Sequence, residues 1–588
     1  MKSVSRALLY LLNNKWTAAG AVLSMLFVNA ANLATPQILR YLIDRGITPL
    51  NMTWVWYAVL GLFAVAVVRG VFNFLQGYWS EVSAQGVAFD LRNVIFAKLE
   101  HLSFSYHDSA QTGKLMTRMT SDVELVQMFV GRGSLMIVSA LILLAGTVVV
   151  MLNMNWKLTL VLLVIIPLLL GIFAFFVRGI TPISKEVQVK LSNLNTTLQE
   201  NLAGARVVKA FAREAYELGR FIQQNQELLD ANLNMVRLFT SFFPLIFFIG
   251  NLATIGVVWF GGLQVIGESL SMGELVAFLG YVNFLLMPIF MIGMIGSMLG
   301  RAEASAQRIF EVIDTQSDVQ NRADAIPLPP IEGRVAFNDV SFRYFGSGEN
   351  VLCNVSFTAE PGQVIAIMGK TGVGKSSIIN LIPRFYDVSS GRVTIDSYDV
   401  RQVTLDSLRS QVGIVLQETT LFSGTIRDNI AYGRPEATLE EVMAAAKAAQ
   451  VHEFIMETPG GYDTVVGERG VGLSSGQKQR VAIARTLLVD PRILILDDST
   501  SSVDAETEYK IQQALQQLMI GRTSFIIAQR ISTVRNANLI LLLDNGNLVA
   551  QGSHEELMRT SELYADILET QFGEHAELLA VVEEELVI

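Results

Sequence analysis

The sequence predicts two unlike folds in one chain: an all-α half of six apolar helices with long polar extensions, then an α/β half. Two contrasts point there. Residues 1–310 hold nearly all the long apolar runs, whereas residues 333–570 read as short strands alternating with helices. Between them, DTQSDVQNRADAIPLPPIEG is polar and carries three prolines, so it reads as a linker. The expected boundaries are 1–313 for the helical half, 314–332 for the linker, 333–572 for the α/β half and 573–588 for an acidic tail.

Composition places the first half in a membrane. At 588 residues the chain exceeds one ordinary domain, and with 51% hydrophobic and only 17% charged residues it is too apolar for a purely soluble one. A helix needs about 20 apolar residues to cross a hydrocarbon core ~30 Å thick. Six stretches qualify: Trp16–Leu42, Trp54–Gly77, Leu135–Leu152, Leu158–Val177, Phe239–Ile266 and Leu275–Leu299. The loops after the second and fourth are long and carry Arg92, Lys98, Lys114, Arg118, Lys185, Lys190, Arg206, Lys209 and Arg213. The other loops are short and poor in cations. That asymmetry puts both termini and the α/β half in the cytoplasm of a multi-pass inner-membrane protein. The long loops keep apolar residues at helical spacing, so the helices are expected to run on past the bilayer. MKSVSRALLYLLNN lacks the small-residue cleavage site of a signal peptide and fits an amphipathic helix at the membrane surface. Arg69 falls inside the second stretch, where a charge is costly and often functional.

Other partners are disfavoured. A net charge of −10 argues against nucleic acid. The single cysteine, Cys353, excludes internal disulfides and reads as apolar filler.

The α/β half carries the chemistry. QVIAIMGKTGVGKSSIINLI runs from an apolar strand, Val364–Met368, through Gly369, Lys370, Thr371, Gly372, Val373, Gly374, Lys375 and Ser376 into a helix that includes Ser377. This is the phosphate-loop pattern in its strand–loop–helix setting. The glycines let backbone N–H groups close around phosphates, Lys375 reaches the outer ones, and Ser376 holds Mg²⁺. ATP with Mg²⁺ is therefore the expected ligand. ILILD, Ile493–Asp497, reads as a strand buried on both faces, as in a parallel sheet, with Asp497 at its carboxyl end as a metal anchor. Leu473, Ser474, Ser475, Gly476 and Gln477 open a helix continued by KQRVAIARTLL. The N-terminus of such a helix suits a phosphate, and an ordinary serine cap would equally explain where it starts.

LSSGQ, about twenty residues before Asp497 and downstream of a phosphate loop, resembles the signature of ABC transporter ATPases. Other segments share the resemblance: Tyr344 in SFRYF is placed like an adenine-stacking aromatic, and Gln417 in VLQETTLFSGTI like the loop glutamine between metal and membrane domain. TVVGERG (464–470) is similar to a cross-subunit loop, and SYHDSAQTGKLMTRMTSDV and ENLAGARVVKAFAREAYE to exporter cytoplasmic loops with their coupling helices. The likeness covers nearly all of residues 1–572. It implies a type IV exporter half: six membrane helices fused to one P-loop nucleotide-binding domain, working beside a second half. Two such domains sandwich ATP between one phosphate loop and the other's signature, with Asp504 near the junction.

Three positions depart from the family's pattern. Asp498 stands where glutamate usually polarises the attacking water. Gln529, in FIIAQR, stands where histidine usually contacts the γ-phosphate. Ser475 replaces a usual glycine. Aspartate is one methylene shorter than glutamate, and a displacement of ~1 Å costs about a hundredfold in rate. Glutamine hydrogen-bonds but carries no positive charge. The resemblance therefore points to the degenerate half of a heterodimeric exporter, which binds ATP, hydrolyses it slowly and lends its signature to a partner's site. A homodimer with two slow sites and an ATP-gated membrane protein that never pumps use the same residues. The Phe- and Met-rich fifth and sixth stretches suit hydrophobic small molecules, lipids or peptides, and equally suit lipid-facing packing.

Overall fold

Apolar runs longer than a bilayer needs fold here as helices longer than a bilayer. The computed structural model describes residues 2–344, 348–416, 419–467, 470, 472–497, 505–528 and 530–570. Its helical part comprises α1 (Lys2–Leu9), α2 (Lys15–Tyr41), α3 (Met52–His101), α4 (Phe104–Ser109), α5 (Thr112–Thr117), α6 (Val123–Met128), α7 (Ser134–Met154), α8 (Trp156–Leu163), α9 (Ile165–Ala203), α10 (Ala205–Ala210), α11 (Glu214–Ile266) and α12 (Met272–Asp314). Four of the six apolar stretches fall within single helices; Trp16–Leu42 runs one residue past α2, and Leu158–Val177 is divided between α8 and α9 at Val164. Among the described residues, four helical runs are long and apolar enough to cross a membrane: Lys2–Ile47, Met52–His101, Thr112–Met154 and Glu214–Ile266. Met272–Leu285, the first part of α12, is a shorter apolar segment. The 50 residues of α3 span about 75 Å at 1.5 Å per residue, far beyond a hydrocarbon core.

By Cα packing the chain separates into two units. One is Met1–Glu100 with Thr112–Thr315; the other is His101–Gln111 with Gln316–Ile588. The short helix α4 thus belongs with the α/β unit, although the chain enters it from α3 and leaves it into α5.

Within the first unit, α9 and α11 form an antiparallel stalk pair around α10. Lys190 Nζ meets Glu227 at 2.7 Å, Asn201 donates to Glu217 at 2.8 Å, and Arg220 donates to Glu200 at 3.0 Å. The hydrogen bond between them raises the pKa of Lys190 and lowers that of Glu227. The run from α5 to α7 is continuous, but Arg118–Asp122 and Phe129–Gly133 are wound as π-helix. Such bulges re-aim side chains. The first turns Asp122 inward, where its carboxylate accepts from Ser305 Oγ at 2.8 Å and Arg308 Nε at 2.9 Å on α12. α12 continues unbroken through Pro288. Its start is fixed by a capping box between Ser271 and Glu274.

The expectation that the N-terminal segment lies on the membrane surface is refined. Val4 and Ala7 of α1 are buried. Glu303 of α12 accepts from the Ser3 and Val4 amides, Arg6 pairs with both oxygens of Asp314, and its guanidinium lies 4.0 Å over Phe310. One face of α1 is therefore docked on protein, while Leu9, Leu12 and Trp16 beyond it are exposed. Arg69 is exposed on α3.

The second unit is layered. An antiparallel sheet, order β2-β1-β4-β5, comprises β1 (Val335–Phe342), β2 (Leu352–Ala359), β4 (Ser390–Ile395) and β5 (Tyr398–Asp399). A six-stranded sheet, order β12-β11-β3-β10-β9-β6, comprises β3 (Val364–Met368), β6 (Val412–Val415), β9 (Ile493–Asp497), β10 (Thr523–Ile527), β11 (Leu539–Asp544) and β12 (Asn547–Gly552). It is parallel except for β12. Strand periodicity builds both of its faces. Ile365, Ile367, Ile493, Ile495, Phe525, Ile527, Leu541 and Leu543 pack with residues of the antiparallel sheet in one core. The alternate residues Leu494, Leu496 and Ile526 pack into a second core under helices, and Ala366, Met368, Ile540 and Leu542 into a third with Tyr564. Cys353, on β2, is only half-buried rather than core filler.

Candidate functional site

Register brings the chemistry to one edge of the large sheet. Ile367 pairs with Ile527, and Ile527 pairs with Asp497. β3, β10 and β9 therefore end side by side, and the phosphate loop leaves β3 one residue later. Two glycines show why this loop tolerates nothing larger. Gly369 has φ +143°, and a Cβ there would stand 2.3 Å from the Leu543 carbonyl oxygen. Gly374 has φ +101°, and a Cβ would stand 2.9 Å from the Val351 carbonyl. Between them Val373 is buried in the first core while Lys370, Thr371 and Gly372 are exposed. The loop is thus pinned at its middle and both ends, with its crest open.

Lys375 opens the helix Lys375–Leu381 (α13) and folds back over the loop, donating to the carbonyls of Gly369 at 2.7 Å and Lys370 at 2.8 Å. Burial holds its ammonium below the usual lysine pKa, and the negative charge of Asp497 pulls it back up. The two groups therefore share one electrostatic neighbourhood. Ser376 is exposed. Ser377 is not: its hydroxyl is buried and lies 3.0 Å from Tyr344 Oη. Tyr344 stands edge-on to Phe342, with ring centroids 4.8 Å apart, and to Tyr386, 5.2 Å apart.

The signature phrase lies under the second core. Ser474 caps the helix Ser475–Val489 (α14): its Oγ accepts from the Gln477 amide, and the Gln477 side chain accepts from the Ser474 amide at 2.8 Å. The serine-cap explanation of this helix start is correct locally. It leaves Ser475 exposed, Gly476 buried and Leu473 packed at the core's margin. Phosphate loop and signature thus rest on cores on opposite faces of the sheet.

Gln417, Asp498, Asp504 and Gln529 lie outside the described residues, as do Glu468 and Arg469 of the TVVGERG loop and the tail 573–588. The described part of that loop pairs Val465–Val466 with Gly424–Thr425.

Sequence reasoning missed Tyr386 and marked Asp108 only as one residue of SYHDSAQTGKLMTRMTSDV. Tyr386 Oη donates to the Asp108 carboxylate of α4, and Phe104 of α4 stacks on Phe385 at 4.2 Å. No local pattern marks their pairing, because they are 278 positions apart.

The chain belongs to the ABC transporter family: residues 19–289 match the ABC transporter transmembrane region and residues 352–501 the family described as ABC transporter. It is 40% identical over 552 residues to YknU, an ABC transporter ATP-binding protein of Bacillus subtilis, covering 94% of each chain. It is 36% identical over 556 residues to the ATP-dependent lipid A-core flippase of Syntrophus aciditrophicus, covering 95% of this chain and 92% of that one. A solved bacterial Atm1-family ABC exporter with ATP bound superposes with a TM-score of 0.79 at 31% identity, over 95% of this chain and 98% of that one. The molecule is accordingly an ABC exporter half-transporter, a helical membrane domain fused to an α/β ATP-binding domain.

Proposed function

We propose that this chain is the slowly hydrolysing half of a heterodimeric exporter that moves hydrophobic or amphipathic solutes out of the cytoplasm or its facing leaflet. The observation that carries this reading is a mismatch between two sets of groups. The groups that hold phosphate are complete: a pinned glycine loop, a desolvated Lys375, and Asp497 close enough to affect it. The groups that would polarise the attacking water and contact the γ-phosphate are altered, with aspartate at 498 and glutamine at 529. ATP binds against Gly369–Ser377 with its base on Tyr344. Mg²⁺ fits the donor set, since Ser376, Asp497 and Gln417 offer hard oxygen ligands. When bound, it neutralises charge on the outer phosphates.

A nucleotide sandwiched between phosphate loop and signature has to draw on two chains, because one chain carries the two on opposite faces of its sheet. Leu473 to Gln477 then complete the partner's site, and Asp504 lies at the junction. The clustered cations of the two long loops put both termini on the cytoplasmic side.

Two relatives bear on the cargo. The Syntrophus protein is a lipid A-core flippase, and a Bacillus subtilis relative 37% identical over 545 residues is a putative multidrug export protein. The exposed apolar face of α11, with Ile255, Val258, Trp259 and Leu263, suits a lipid or drug-like solute.

The test is ATP turnover by the purified full-length chain, alone and with Asp498→Glu and Gln529→His combined. The lone chain should bind ATP and hydrolyse it slowly, and the double substitution should raise turnover by about ten- to a hundredfold. Brisk hydrolysis by the unmodified chain, with no second polypeptide present, overturns the reading.

A further inference from the structure

A polar cleft of about 500 Å³ lies between α3 and the run from α6 into the π-helical turn Phe129–Gly133. Gly131 brings the two backbones together there: a Cβ on it would stand 2.6 Å from Ala84 Cβ. Beside this crossing the Glu81 carboxylate accepts from Arg132 at 3.3 Å and from Gln85 at 3.0 Å. Arg92 and Glu124 line the cleft further from the apolar stretches. Arg92 Nε donates to the Met119 carbonyl at 3.4 Å, and Glu124 has no ion pair or side-chain hydrogen bond among the described residues. Gln127 lines the cleft as well. It is only 9% exposed, and its side-chain amide has no hydrogen-bond partner among the described residues. A buried amide without a partner is costly, so a ligand that supplies one is favoured. All of these groups belong to the helical unit.

We propose that this cleft binds the headgroup of a zwitterionic phospholipid with a primary amine, the chemistry of phosphatidylethanolamine. Depth is the first argument. Glu81 stands four residues beyond Gly77, where the second apolar stretch ends, and Arg132 three residues before Leu135, where the third begins. At 1.5 Å per residue both lie about 5–6 Å past the hydrocarbon, at the level of headgroups. The leaflet is the cytoplasmic one under the orientation proposed from the cation-rich loops. Charge is the second. The two arginines and two glutamates of the cleft cancel, so a singly charged ligand meets as much repulsion as attraction, whereas a ligand of both signs finds a partner for each. The Glu81–Arg132 pair is exposed, so opening it for a ligand costs little. Arg132 and the Gln127 amide donate to phosphate, and Glu124, one helical turn from Gln127, accepts from the ammonium. A primary ammonium has N–H groups to give Glu124; the quaternary ammonium of a choline lipid has none. Shape is the third. Steps of seven and eleven residues return a helix to nearly the same face, so Phe74 and Tyr78 continue the line of Glu81, Gln85 and Arg92 toward the bilayer. Both rings are exposed and stacked at 6.3 Å, a surface for acyl chains above a seat for the headgroup. The inference stands apart from the reading of the ATP site, which uses none of these residues.

The experiment is native mass spectrometry of the detergent-purified full-length chain, titrated with four probes. Three are dioctanoyl lipids that differ only in headgroup: phosphatidylethanolamine, phosphatidylcholine and phosphatidylglycerol. The fourth is glycerophosphoethanolamine, the same headgroup without chains. The ethanolamine lipid should bind roughly three- to tenfold more tightly than either other lipid, the range one hydrogen bond spans, and the chain-free headgroup should bind far more weakly. Glu124→Gln should erase the preference over the choline lipid without weakening phosphatidylglycerol. Gln127→Leu should weaken all three lipids by a similar factor, because the donor it removes faces phosphate. Glu124 is exposed, and leucine fills the buried site of Gln127 with nothing left unpaired, so both variants keep the fold. A Gln127 that serves only packing would leave lipid binding untouched in Gln127→Leu, and that result overturns the site. Equal affinity for the three lipids, or a preference that survives Glu124→Gln, overturns the amine assignment. Chain-free headgroup bound as tightly as the lipid overturns the lipid and leaves a soluble zwitterion as the ligand.

Discussion

Phe525 and Ile255 are both large apolar residues, and the two halves of the molecule treat them in opposite ways. Phe525, on the central strand β10, is fully buried; Ile255, on α11, is 61% exposed. The same split runs through the chain. In the α/β unit the apolar residues of β3, β9, β10 and β11 alternate between packed cores, so water drives the fold. In the helical unit much of the apolar surface points outward, on α3 at Phe63 and Phe74 and on α11 at Phe248 and Trp259. Lipid tails are as apolar as these side chains and do not drive helices together. That unit holds itself together with a smaller core around Phe278 and Tyr281, and with polar ties such as Asp122 to Arg308. Burial in one half and polar pairing in the other are two answers to two solvents.

Three substitutions test this contrast. Phe525→Ala should destabilise the α/β unit by about 3–5 kcal/mol, the usual cost of emptying a packed aromatic site. Denaturant unfolding followed by ATP protection would read it, and a loss under 1 kcal/mol would mean the sheet does not rest on its first core. Asp122→Ala removes the shared acceptor of the Arg308 guanidinium and the Ser305 hydroxyl, which keep only their own 3.0 Å hydrogen bond. Since Arg308 is half-exposed, the expected cost is about 2 kcal/mol rather than the larger figure for a fully buried pair. It should appear as a lower melting temperature of the membrane domain in detergent, with ATP binding unaltered. If ATP binding falls in parallel, the two units do not unfold separately. Ile255→Ala should change stability by no more than about 0.5 kcal/mol in the same assay. A larger loss would show that this face of α11 is covered in the working protein rather than bathed by lipid.

Much of the ATP-binding half was legible because its signals are local. Val364–Met368, the glycine loop and α13 are contiguous, and the expected strand coincides with β3. Asp497 was readable as the last residue of a run with no polar break, and it does end β9. The signature helix start was readable in its serine, although two explanations fitted one residue; the structure establishes that Ser474 caps. Ser377 follows Ser376 directly, and helix geometry turns its side chain inward to Tyr344. The Asp122 network was invisible because it joins residues 186 positions apart and depends on a π-helical turn that no residue pattern announces. Residues 101–111 joined the α/β unit for the same reason: their partners Phe385 and Tyr386 lie far along the chain.

The sequence by itself determined what each half is made for. Apolar length set the membrane helices, and strand period with glycine spacing set the phosphate loop, because both are written in neighbouring residues. Only tertiary structure decided which distant groups act on one another: the charge of Asp497 on Lys375, Asp122 with Arg308, Asp108 with Tyr386. Sheet register and helix winding choose those pairs, and both are settled only when the whole chain packs.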